Sequence, residues 1–266
     1  MGGSAGSVTG TRSGEYCLLE IALPGRRPEN AGVLLLDPEA DELHYLLRRD
    51  WDAIAEPEDA EVLAALEEDL GWKTRELGAR RFLEILEDSL SNVLRVTGRQ
   101  SVLVEDFARS LRRLYRQHVH ASVLPFRTHL PAYSLRAAAG KWGDGMEVEP
   151  EGFLEVLDDI RLTQDMFVAH VQGKSMEPKI PDGSLCIFRA GVAGSRSGRD
   201  VLVENFGLAE NEGRYTVKRY VSEKRYTQDG WEHTRITLKP LNPEFEPWDL
   251  EPGQFRVLAE FVRVLE

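Results

Sequence analysis

The chain has 266 residues, enough for two domains or one large one with a substantial apolar core. Apolar residues make up 42% and charged residues 29%, as in ordinary globular proteins, and the formal net charge is −12. That charge argues against a broad electrostatic grip on nucleic acid. Nor is a basic module hidden by an acidic one: residues 1–130 hold 22 acids and 16 bases, residues 131–266 hold 23 and 17.

The first residues, "MGGSAGSVTGTRSG", lack the apolar stretch of a signal peptide and read as a Gly/Ser-rich flexible tail over 1–14. No window approaches the roughly 18 apolar residues of a membrane span, so a cytoplasmic protein without membrane contact is expected. Three strand candidates follow, "YCLLEIAL" (16–23), "AGVLLLD" (31–37) and "ELHYLLRR" (42–49). The turn-rich stretches "PGRRPEN" and "PEAD" separate them, which suggests an antiparallel meander.

Then the apolar period lengthens to three and four. Helices are expected from Asp59 to Leu70, from Arg80 to Leu94, and over about Val104–Val119. Residues 15–120 thus read as an α+β domain in which strands precede helices. A helix-turn-helix reader would need a compact trio of helices at the start, where strands stand instead. The third helix carries Arg109, Arg112, Arg113 and Arg116. Glu105 and Asp106 lie at spacings that make a solvated, ion-paired face the better reading. At most weak, salt-sensitive DNA binding is expected. On "NAGVLLLD" and "RRDW" this segment resembles a small bacterial domain family of unknown function, which implies no activity.

Residues 121–145 lose periodicity, hold two prolines and several glycines, and read as a linker. Within it lie Ala137-Ala138-Ala139-Gly140. Residues 146–266 alternate in short runs, "MFVAHVQ", "SLCIFRA", "DVLVENF", "YTVKRYV", "RITLKPL" and "FRVLAEFVRVL". Turns at Pro181-Asp182-Gly183, Asn211-Glu212-Gly213 and Asp229-Gly230 punctuate them, so this half is predominantly β. Cys17 and Cys186 sit inside apolar runs and read as buried thiols, with no metal or other cofactor called for.

"GKSMEP" (173–178) poses the chemical question. The Ser175 hydroxyl is a poor nucleophile unless a neighbouring base takes its proton. His170, on "MFVAHVQ", has no evident acidic orienter and reads as an ordinary strand histidine. Lys218, in "YTVKRY", would serve only if burial destabilised its cation. Alternation sends it to the face opposite Val217 and Arg219, and spacing alone favours a solvent-facing strand lysine.

Together, "GKSMEPKIPDGSLCIF" (173–188), "YTVKRY" (215–220), "LKPLNPEFEP" (238–247) and the closing "AEFVRVLE" resemble the Ser-Lys peptidase domain of the LexA/UmuD and phage-repressor family, over about half the chain. The resemblance implies Ser175 as nucleophile, Lys218 as general base, and the Lys174 and Ser175 amides as the oxyanion hole. It also implies self-cleavage at a small-residue–Gly bond upstream, which Ala139-Gly140 fits in type and distance. Such a tethered bond would react at high effective concentration.

The stretches "AGVAGSRSGRD" and "FGLAENEGR" lengthen the spacing between the motifs relative to the family, and the N-terminal half lacks a repressor's DNA-binding helices. The reading is a regulatory switch that cuts its own linker peptide, acting in a stress response. By resemblance, a recombinase filament is one candidate trigger and homodimerisation through the β domain is implied. Two rivals remain: a peptidase acting in trans on another protein, and a non-enzymatic or transcription-regulatory interaction protein that keeps the fold.

Overall fold

The computed structural model describes residues 11–265 apart from 24–25, 90–92, 158–159, 193, 210–212 and 228–229. The side chains of 223–235 also lie outside the description. The first ten tail residues and the expected turns at Asn211-Glu212 and Asp229 fall outside it as well. The chain forms two compact units, Met1–Ser122 and Val123–Glu266. Among the described residues no helix is long and apolar enough to cross a membrane.

The first unit is α+β, with strands ahead of helices. β1 (Arg12–Ile21), β2 (Glu29–Asp37) and β3 (Glu42–Leu47) form the antiparallel meander. β1 starts at Arg12, so the last three residues of the stretch read as tail belong to the strand. α1 (Trp51–Ile54), α2 (Pro57–Ala64), α3 (Leu66–Leu77) and α4 (Ala79–Asp88) come next. The helix expected over 59–70 is therefore two, parted at Ala65. β4 (Leu94–Val96) and β5 (Gln100–Val104) then both pair with β1, ahead of α5 (Phe107–His118).

Cys17, Leu19 and Ile21 face a core with Trp51, Leu63, Phe82 and Leu83, while α5 packs on β2 and β3. Burial on both faces explains why "AGVLLLD" is a continuous apolar run rather than an alternating one. Asp106 caps α5 by accepting from the Arg109 amide at 2.7 Å. The "RRDW" stretch has a structural use. Arg48, 2% exposed, forks onto Asp50 through two 2.7 Å bonds, and Asp50 also accepts from the Ser122 amide at 2.6 Å.

The second unit is mostly one nine-stranded sheet. Its strands are β6 (His129–Tyr133), β7 (Gly152–Glu155), β8 (Met166–Val171), β9 (Ser184–Ala190), β10 (Asp200–Asn205), β11 (Tyr215–Thr227), β12 (Gly230–Lys239), β13 (Trp248–Leu250) and β14 (Phe255–Val264). Across the sheet they run β13-β12-β11-β10-β14-β9-β8-β6-β7.

The stretch expected to be a linker is instead structured. β6 lies between β7 and β8, parallel to the latter through Ala132–Val168 and Tyr133–Ala169. Residues Leu135–Gly143 form α6, whose first turn is capped by Ser134 Oγ accepting from the Ala137 amide at 3.2 Å. The strand escaped notice because it is buried on both faces and contains a proline, which erases period-2 alternation. The helix is nine residues, alanine-rich and only weakly amphipathic. It is held by Trp142 stacking on Phe167 at 4.0 Å and meeting Tyr133 edge-on at 5.1 Å.

Candidate active site

β8 delivers the chain to a turn that carries Ser175. Gly173 sits at φ +104°, a conformation that strains any residue with a Cβ, and its amide donates to Asp182 Oδ1 at 2.6 Å. Met176 and Ile180 are buried and joined by an Ile180 N–H to Met176 carbonyl bond of 3.0 Å, so the turn is pinned into the core just after the serine. Ser175 itself is half-buried.

Lys218 lies in β11, in register with Val201 of β10. It is buried, 4% exposed, rather than solvent-facing. Its Nζ donates to Ser175 Oγ at 2.6 Å, to Thr216 Oγ1 at 3.0 Å and to the Val217 carbonyl at 3.3 Å. The Trp248 ring centroid is 5.1 Å away. Thr216 shares the face of Lys218 because side chains alternate along a strand. All three acceptors are neutral oxygens. Desolvation therefore goes uncompensated and pushes the lysine down from 10.5 to about 8.

The adjacent charge is kept on other faces. Arg219 reaches Asp200 at 2.9 and 3.1 Å, and Lys179 joins it at 2.5 Å. Burial works to raise the Asp200 carboxyl, but the hydrogen bonds from Arg219 and Lys179 outweigh it and hold the group below the usual range. Asp200 is thus occupied by cations other than Lys218.

The backbone of the turn is held as well. The Ser175 carbonyl accepts from the Leu241 amide at 2.9 Å and the Asn242 amide at 3.1 Å, and Asn242 Nδ2 donates to the Lys174 carbonyl at 3.1 Å. The Lys174 and Ser175 amides donate to no group among the described residues. Alternation along "LKPLNPEFEP" does not reveal this clamp. The available signal was Asn-Pro after an apolar strand, where an asparagine side chain closes a turn by bonding two residues on, as Asn242 Oδ1 does with the Glu244 amide at 3.0 Å.

The predicted residues separate into two groups. Ser175, Lys218 and the Lys174 backbone come together. Ala139 and Gly140 lie in α6, with Ala139 1% exposed, so that bond is helical and covered rather than extended. His170 points elsewhere, its Nε2 lying 2.9 Å from the Gly183 carbonyl. Both cysteines are free and buried, and desolvation raises each thiol to about 12. Along β8, ahead of the turn, β6 pairs only as far as Ala169, and a cleft of about 640 Å³ is lined by Tyr133, Leu135, Val168, His170, Gln172 and Tyr215, among others; neither Ser175 nor Lys218 lines it.

A hydroxyl held against a buried, partly neutral amine, with two free amides alongside, is an arrangement suited to acyl transfer. No curated protein matches the chain. The model of the Peptidase S24-like family matches residues 131–262, a span that takes in the last three residues of β6, α6, the serine turn, Lys218 and Asn242. The C-terminal half of this chain is a Peptidase S24-like domain of the LexA/UmuD kind.

Proposed function

We propose that the chain is a serine endopeptidase working through Ser175 and Lys218, with the Ala139-Gly140 bond of its own chain as substrate. The observation that carries this reading is the 2.6 Å contact between Lys218 Nζ and Ser175 Oγ, with only neutral oxygens bonded to the lysine among the described residues. Neutral Lys218 takes the Oγ proton as Oγ attacks the Ala139 carbonyl carbon. The oxyanion that forms is met by the Lys174 and Ser175 amides. The ammonium returns its proton to the Gly140 nitrogen as the C–N bond breaks, leaving an ester on Ser175. Water, deprotonated by Lys218, then hydrolyses the ester. No third residue is needed, since an amine has no tautomer to fix.

The connection of the elements supports the choice of bond. β6 is the parallel neighbour of β8, β8 leads into the serine turn, and α6 follows β6 directly, so an extended α6 segment would run along β8 toward Ser175. For this α6 must unwind and its residues enter the cleft in extended form, which makes the helix the closed position of a switch. An unwound state a few kcal/mol above the closed one would be populated at roughly 0.1–10%, enough for slow basal cleavage. A trigger that binds the unwound form would raise that share, and the resemblance offers a recombinase filament.

The cleft also favours a second reading, cleavage of another protein in trans, because its free strand edge beyond Ala169 could accept any extended peptide. The test is incubation of the purified protein at rising pH, alone and with unfolded protein added, followed on a denaturing gel. Self-cleavage lost in Ser175→Ala supports the first reading. Cleavage of added protein alone selects the second, and unchanged cleavage in Ser175→Ala refutes both.

A further inference from the structure

Oxyanion stabilisation by a backbone amide depends on where that amide points, and a peptide plane has no freedom to aim its two ends separately. In a trans peptide the C=O of one residue and the N–H of the next are rigidly antiparallel. Whatever grips the Lys174 carbonyl therefore sets the direction of the Ser175 N–H. Two groups grip it, the Glu177 amide at 3.1 Å within the turn and Asn242 Nδ2 at 3.1 Å from the far side.

We infer that Asn242 is a positioning residue for the reaction, one that acts by aiming the Ser175 N–H at the developing oxyanion. The inference rests on the peptidase reading above.

The chemistry of the side chain singles out an amide. Asn242 Oδ1 accepts from the Glu244 N–H at 3.0 Å while Nδ2 donates to the Lys174 carbonyl at 3.1 Å. Reversing the amide would set oxygen against oxygen and NH₂ against N–H, so one orientation is enforced. The Asn242 backbone takes part too, since its amide and that of Leu241 fix the Ser175 carbonyl and hence the next peptide plane. An aspartate of the same shape could still accept from Glu244 but could not donate to Lys174. Asn242 has no hydrogen bond to Lys218, whose contacts are Ser175, Thr216 and Val217. Its loss should leave the base untouched.

The experiment compares Asn242→Asp and Asn242→Ala with the parent in self-cleavage across pH. Removing an oxyanion donor outright costs about 100- to 1,000-fold, and misaiming one of two should cost about 10- to 100-fold. The expected result is that loss in the plateau rate in both variants, with the apparent pKa of the pH profile at the parental value in Asn242→Ala, which adds no charge, and the melting temperature not falling in step with the rate. In ¹H–¹⁵N spectra of Ser175→Ala proteins, where nothing is cleaved, the amide at position 175 should shift when Asn242 is replaced. A purely structural role would lower the melting temperature in step with the rate. That outcome, or a plateau within two-fold of the parent in both variants, overturns the inference. A parent that does not cleave at all is a separate result, which removes the peptidase reading and this inference with it.

Discussion

Replacing Lys218 with alanine or arginine, and following the parent across pH, tests the base directly. With a pKa of about 8, roughly one molecule in ten carries a neutral lysine at pH 7, against about one in three thousand at the ordinary 10.5. Burial alone therefore raises the reactive population some 300-fold, which is about 3 kcal/mol off the cost of deprotonating the lysine. The self-cleavage rate should climb about ten-fold between pH 7 and pH 9 and then level off. Lys218→Ala and Lys218→Arg should both be inactive, the second because guanidinium stays protonated throughout.

The same shift predicts a stability effect. The folded pKa is depressed, so between about pH 8 and 10.5 the unfolded chain holds a proton that the folded one has released. Stability relative to a Lys218→Met control should rise with pH across that window, by up to about 3 kcal/mol in total, and run flat below pH 8, where both states hold the proton. Urea titrations in a Ser175→Ala background would measure it. Near-parental cleavage by Lys218→Arg, or parallel stability curves for the two proteins, would refute the reasoning.

Mass spectrometry of the cleaved protein should find a new N-terminus at Gly140, and one outside residues 136–145 would show that another bond is cut. Gly140→Ala should slow cleavage about five-fold: the added Cβ meets Met146 Sδ at 3.5 Å and Val148 Cγ2 at 3.7 Å, ordinary contacts, and alanine favours a helix interior by about 1 kcal/mol. A faster reaction would show that helix unwinding does not limit the rate. Trp142→Ala should act in the opposite sense, because it removes stacking on Phe167 worth about 1 kcal/mol, and an unchanged gel time course would count against α6 as the closed position. DNA binding measured by fluorescence anisotropy should be weak and vanish with salt, whereas tight sequence-specific binding at physiological salt would contradict the charge argument.

The half-buried sheets were legible where one face differs from the other. "SLCIFRA" reads as a strand over the residues that form β9, because Cys186 and Phe188 face inward while Leu185 and Arg189 face out. That signal fails where both faces are buried, as in β6, or where the element is short, as in α1, β4 and β13. Ser175 and Lys218 were legible through motif resemblance and not through spacing. Alternation names the residues that share a face with Lys218 but cannot tell whether that face is wet. The wall over it comes from Trp248 and the nucleophile turn, 30 and 43 residues away along the chain. The Asn242 clamp, made by its side-chain amide and its backbone together, is of the same kind, set by two segments meeting in space.

The position of β6 bears on what a cut at Ala139-Gly140 would accomplish. The bond lies between β6 and β7, and those two strands are neighbours in one sheet, with β8 on the other side of β6. The upstream product would keep β6, with Leu130 fully buried, threaded between strands that belong to the downstream product. Hydrolysis would then leave a nicked molecule still holding together, and parting would await withdrawal of a strand from the middle of its ladder. Chemistry and release become separate clocks. The first is irreversible and records that a signal arrived, and the second decides when the record is read. A denaturing gel would report the former and a native gel the latter, so the two need not agree at early times.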